Sequence, residues 1–68
     1  MNDEALNMSL RKFLKIVGVT SQQEIEKAIR AAVAGGKLKG KRSLAAQMVL
    51  TIGDVGLNHK VDGTIELE

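Results

Sequence analysis

The first part of the chain carries apolar residues at helical spacing. They recur every three or four residues, at Leu6, Leu10, Phe13, Leu14 and Val17. This pattern predicts an amphipathic helix over residues 3–17, with its apolar side facing a core. Asn2 can cap the first turn, and Gly18 is well placed to end the helix in the left-handed conformation.

A second helix is predicted directly after a short turn. Ser21-x-x-Glu24 has the spacing of a capping box, in which the two side chains pair with backbone N–H groups of the first turn. The apolar positions that follow are Ile25, Ala28, Ile29, Ala32 and Val33. Gly35-Gly36 ends the pattern, so the helix is expected over residues 21–34. The two helices would form a helical hairpin or corner.

Beyond Gly36 the period of the pattern changes from 3.6 to 2. Apolar side chains alternate over residues 44–52, which predicts a half-buried strand. Residues 53–56 are expected to turn, and residues 57–61 to return as a second strand. A three-residue loop over residues 61–63, with a bulge at Gly63, would then lead into a third strand over residues 64–67. This register sets His59 between Leu50 and Ile65 on the core side.

The predicted fold class is therefore α+β, in the order α-α-β-β-β. Two N-terminal helices pack on one face of a three-stranded antiparallel meander, and residues 1–68 form a single small domain. The other face of the sheet is polar and suited to water.

Composition narrows the classes of function. The 68 residues contain no cysteine and a single histidine, so disulfides and a structural zinc site are not expected. No apolar run approaches the roughly 20 residues that span a bilayer. The acidic start, residues 1–4, differs from a secretory signal, and the expected location is cytoplasmic. A domain this small buries little apolar surface, so its stability should be marginal. Well-formed helices or a second copy of the chain would have to supply the missing stability.

Several segments resemble a family of short proteobacterial proteins that is a domain of unknown function. The resemblance is carried by residues 8–15, by residues 18–28, by Gly36-Lys37-Leu38-Lys39-Gly40 and by Thr51-Ile52-Gly53. It implies a small cytosolic domain and supplies no activity, substrate or cofactor.

Catalytic chemistry finds little support. His59 is the only natural general acid or base, and the predicted pairing makes it a packed strand residue. Asp54 and Asp62 lie in predicted turns, where aspartate makes local hydrogen bonds. The glycines follow no phosphate-binding pattern. We expect no enzyme, no cofactor, no metal and no small-molecule substrate.

Nucleic-acid binding is one possible role. Two helices, a basic connection and a hairpin would be similar to a winged helix-turn-helix. The second helix would place Gln22, Gln23, Lys27 and Arg30 in a groove, and Lys37, Lys39, Lys41 and Arg42 would contact phosphates. Against this role, Glu24 and Glu26 would face phosphate, and the third helix that normally supports the motif is missing. A lysine-rich surface connection or a protected strand edge is the favoured explanation of residues 37–42.

Protein binding is the favoured role. Met8 and Ile16 lie outside the main apolar line of the first helix, and they are the candidate contacts with a protein partner or a second copy. Unpaired sheet edges favour the same role, because edge pairing is a common route to dimers. The sequence predicts a non-enzymatic protein-interaction module, for which a homodimer is one form, with nucleic-acid binding as the alternative.

Overall fold

One long helix and one β-hairpin make up the chain. A computed structural model describes all residues, 1–68, with helix α1 over Asp3–Ala34, strand β1 over Ser43–Ile52 and strand β2 over Leu57–Glu66. The residues fall into two compact units, Met1–Leu38 and Lys39–Glu68. The first unit contains α1 and the second contains the hairpin.

Both ends of α1 are capped by the residues that the sequence assigns to that role. The side chain of Asn2 accepts a hydrogen bond from the backbone N–H of Ala5 at 3.0 Å. At the other end, Gly36 has a φ of 72°, and the backbone N–H of Lys37 donates to the carbonyl of Ala32 at 3.0 Å. This is a Schellman arrangement, in which glycine adopts the left-handed conformation that stops a helix.

The prediction of two N-terminal helices is wrong, because α1 runs through residues 18–21 without a break. Gly18 does not have a positive φ, and the Ser21–Glu24 capping box is not formed. Instead, the Thr20 hydroxyl donates to the carbonyl of Ile16 at 2.7 Å, one turn back within the helix. A single internal glycine costs only about 1 kcal/mol, which a helix of 32 residues tolerates.

Replacing Gly18 by alanine tests this continuity. A Cβ built at Gly18 meets no atom within 4 Å, so alanine should stabilise α1 by about 1 kcal/mol and raise the helical signal in circular dichroism. If Gly18 ended a first helix in the left-handed conformation, the same substitution would cost about 1 kcal/mol or more. A fall in the thermal midpoint of Gly18→Ala would contradict the continuous helix.

The hairpin pairs its two strands over their whole length. The antiparallel register runs from Ser43 opposite Glu66 to Ile52 opposite Leu57. The turn predicted at residues 53–56 is confirmed. It is a short 3-10 turn closed by Gly56, whose φ of 64° suits glycine, and the Gly56 N–H donates to the carbonyl of Gly53 at 3.1 Å.

The prediction of a third strand is also wrong. The chain does not turn at residues 61–63, and β2 continues straight to Glu66. Asp62 lies opposite Gln47, whose side-chain amide donates to the Asp62 carboxylate at 2.8 Å. Gly63 lies opposite Ala46 in extended backbone and forms no bulge loop. His59 therefore pairs with Leu50 as predicted, but Ile65 pairs with Leu44 instead of lying beside His59.

Because the second helix and the third strand are not formed, the predicted packing of two helices on a three-stranded sheet is also wrong. No residue of the chain is buried, and the most enclosed apolar side chains are only half-buried. A single helix and a two-stranded hairpin each have one apolar side and no second layer within the unit to cover it.

Candidate interaction surfaces

Helix α1 carries a continuous line of side chains along one side, which we call the helix stripe. Its members are Leu6, Leu10, Phe13, Val17, Ser21, Ile25, Ala28 and Ala32, and Leu14 and Glu24 lie beside them on the same face. Their spacing of three or four residues places all of them on one face of the helix. The large members remain substantially exposed, with Leu10 at 44% and Phe13 at 49%. The stripe is an apolar surface that no other element of its own unit covers.

The stripe stays in phase over the full helix. Leu6, Val17 and Ala28 are separated by eleven residues each, as are Leu10, Ser21 and Ala32. An eleven-residue repeat corresponds to about 3.67 residues per turn, close to the natural period of the helix. The side chains therefore line one nearly straight face instead of drifting around the axis.

The opposite side of α1 is mainly polar. The residues there are Lys12, Lys15, Val19, Gln23, Glu26 and Arg30. The helix is thus amphipathic along its length, which is typical of a helix that packs against one other element. Val19, 50% exposed, is an apolar side chain in the middle of this outer face.

The hairpin has an apolar face of its own. The register places Leu44, Met48 and Leu50 on the same side as their cross-strand partners Ile65, Val61 and His59. Ile52 and Leu57 continue this face to the turn. The other side carries polar groups, among them Gln47, Thr51, Asn58, Lys60, Asp62 and Glu66.

The candidate groove-reading residues lie within the continuous helix. Gln23 and Arg30 share the outer side of α1, whereas Gln22 and Lys27 lie on its two flanks. The side-chain amide of Gln22 donates to the Glu26 carboxylate at 3.2 Å. The two separate helices that a helix-turn-helix requires are not present, because residues 18–21 are helical. The winged helix-turn-helix interpretation therefore has no structural basis.

The basic segment lies in turns between the two units. Lys37, Lys39, Lys41 and Arg42 are all exposed. Gly40 has a φ of 79°, in the left-handed region that favours glycine. Arg42 forms an exposed ion pair with Glu68 at 3.7 Å, and its carbonyl accepts from the Leu67 N–H at 2.8 Å. One of the four cations thus takes part in closing the open end of the hairpin.

The two candidate protein contacts are exposed but lie off the helix stripe. Met8 is 65% exposed and Ile16 53% exposed, and both lie on the outer side or flank of α1. The sequence pattern predicts that the stripe faces an internal core. The larger apolar surface was therefore missed as an interaction surface, because its pattern looks the same whether it faces the chain's own sheet or another molecule.

No group of three or more histidine, cysteine, aspartate or glutamate side chains is arranged to hold a metal ion. His59 lies exposed on β2 with Leu50 across the strand pair. No helix has a stretch that is both long and apolar enough to cross a membrane.

Comparison with known proteins gives one result. A protein-family model described as a family of unknown function (DUF6494) matches residues 1–68. No curated protein and no solved structure matches the chain.

Proposed function

Since this chain belongs to the family of unknown function DUF6494, which brings no activity with it, we propose from its own surfaces that it is a small self-associating interaction module. The partner that we propose is a second copy of the same chain, in a homodimer. The proposal includes no catalytic role, and its setting is the cytosol of a bacterium.

The observation that supports the proposal is the absence of any buried residue. Folding must offset about 1–2 kcal/mol of backbone entropy for each ordered residue, and burial of apolar surface is the main favourable contribution. The apolar side chains that could supply it, such as Leu10 and Phe13, remain about half exposed. A molecule that covers them would supply the missing burial.

Neither unit has the means to be stable alone. A helix without tertiary contacts is marginal in water, even at favourable composition. An isolated two-stranded hairpin is also marginal, and three strands or a packed helix are normally needed. The chain has no cysteine for a disulfide and no metal cluster to replace a core. Obligate homodimers solve the same problem by folding and associating together.

Sedimentation equilibrium tests the proposal. Over concentrations from about 1 µM to about 1 mM, a dimer of useful affinity should be populated, so the weight-average mass should rise towards twice 7.3 kDa. The dimer should persist at high salt, because its contacts are mainly apolar. A mass that stays at 7.3 kDa throughout this range would contradict the proposal.

The same sample separates the proposal from nucleic-acid binding. If the exposed cations Lys37, Lys39 and Lys41 bound phosphates, added duplex DNA or single-stranded RNA would increase the sedimenting mass, and this increase would disappear steeply with salt. A monomeric protein that binds nucleic acid in this way would replace our proposal by the alternative.

A further inference from the structure

We infer that two copies of the chain pair through their helix stripes in antiparallel orientation, with the two-fold axis level with Val19. The inference rests on the proposed self-association and adds the surface, the direction and the register.

The spacing of the stripe is the first argument. The intervals from Leu6 to Ala32 are 4, 3, 4, 4, 4, 3 and 4 residues, and this series reads the same in both directions. Its midpoint is level with Val19, close to the centre of α1, which spans Asp3–Ala34. In an antiparallel pair with two-fold symmetry, a residue before the midpoint faces the residue equally far beyond it in the other copy. Every member of the stripe therefore meets another member.

Side-chain size is the second argument. The stripe begins with Leu6 and Leu10 and ends with Ala28 and Ala32, and antiparallel pairing sets these large residues against these small ones. The pairs would be Leu6 with Ala32, Leu10 with Ala28, Phe13 with Ile25 and Val17 with Ser21. Parallel pairing would instead set Phe13 against Phe13 and Ala28 against Ala28. The large side chains would hold the helices apart at one end, and the small ones would leave a gap between them at the other. Alternation of large and small side chains packs without voids.

The contact area suits a second helix of the same length. From Leu6 to Ala32 the stripe is about 40 Å long at 1.5 Å per residue, and the side of a helix is about 10 Å wide. Each helix therefore offers roughly 400 Å² before the corrugation of its side chains is counted. The two faces together give roughly 800 Å² before that correction, which is close to the lower limit of about 1,000 Å² for a specific interface.

Opposing contributions set the affinity of the pair. Burial of the half-exposed Leu, Val, Ile and Phe side chains favours association, and the loss of translational and rotational freedom opposes it. Two polar residues on this side, Ser21 and Glu24, lower the affinity further.

Disulfide trapping tests the direction of pairing, since the natural chain has no cysteine. Two full-length variants, Leu10→Cys and Ala28→Cys, are incubated in a buffer of reduced and oxidised glutathione, separately and as an equal mixture. Intact mass spectrometry then distinguishes the three possible disulfide-linked dimers. Met8→Cys, on the outer side of α1, mixed with Ala28→Cys serves as the matched control.

The antiparallel pair predicts that the mixed dimer of Leu10→Cys with Ala28→Cys dominates, at least about tenfold over either self-linked dimer and over the Met8→Cys control. Self-linked dimers of each variant would show parallel pairing and overturn this inference while leaving the homodimer in place. If no combination exceeds the control while sedimentation finds a dimer, the stripe is not the interface. A protein that is monomeric by sedimentation would instead remove the proposed function itself.

Discussion

Replacing Val17 by glutamate should make the chain monomeric at concentrations where the natural protein is a dimer. Val17 is half-buried on the helix stripe next to the proposed two-fold axis, so each dimer would enclose two carboxylates close together. Enclosing an unpaired charge costs several kcal/mol, and we expect the dissociation constant to rise at least about 100-fold. Sedimentation velocity measures the loss of the dimer, and circular dichroism the accompanying loss of helix.

Val19→Glu is the matched control for this result. It makes the same exchange two residues away in the same helix, so its effect on helix propensity is the same. Val19 is 50% exposed on the outer side of α1. The dimer should be retained with a dissociation constant within about threefold of the natural value. If Val17→Glu and Val19→Glu weakened association equally, the helix stripe would not be the contact surface.

The thermal midpoint should depend on protein concentration. For a chain that folds as it dimerises, each tenfold dilution removes about 1.4 kcal/mol of stability. A change of this size should lower the midpoint by about 5 °C in a protein of this length. The helical signal at 222 nm, followed through a hundredfold range of concentration in cells of different path length, measures the shift.

A chain that folds alone gives a different result. Its unfolding is a reaction of one molecule, so its midpoint is the same at every concentration. Val17→Glu provides the internal comparison, because a monomeric variant should show a low midpoint that does not respond to dilution. If the midpoint of the natural protein were also independent of concentration, its stability would arise within one chain, and the proposed dimer would be contradicted.

The helix caps and the first turn could be predicted from the sequence because they depend on nearby residues. Asn2 and the glycines after Ala34 act through hydrogen bonds within a few positions, and the turn over Gly53–Gly56 does the same. The alternation over residues 44–52 likewise predicted β1 and its apolar face correctly.

The break at Gly18 was predicted from local signals that did not decide the outcome. Gly18 and the Ser21–Glu24 pair together look like an end and a beginning. However, the stripe continues from Val17 to Ser21 at an interval of four residues, without the change of phase that a turn between two helices would introduce. Cooperative propagation then carries the helix through one glycine. The phase of the pattern was the signal that favoured one helix.

The third strand was predicted from a turn motif that the strand register overrides. Asp62-Gly63 is a common turn pair, but a ten-residue β1 offers a partner to every residue up to Glu66. The Gln47–Asp62 hydrogen bond and the Ala46–Gly63 pair then fit within a continuous ladder.

The interaction surface could be predicted only in part. Sequence pattern identifies which residues are apolar and on which side they lie, as for Leu10 and Phe13. The same pattern is produced by burial against the chain's own sheet and by burial against a second copy. The structure distinguishes the two cases, because neither the single long helix nor the two-stranded hairpin has a second layer within its own unit to cover its apolar side.

The most direct test of this account is to find what covers Phe13, the only aromatic residue of the chain. In a sample of equal parts isotope-labelled and unlabelled protein, filtered nuclear Overhauser spectra detect only contacts between copies. The antiparallel pair predicts contacts from the Phe13 ring of one copy to the Ile25 methyl groups of the other. Ring contacts found only within one chain, with none between copies, would contradict the account.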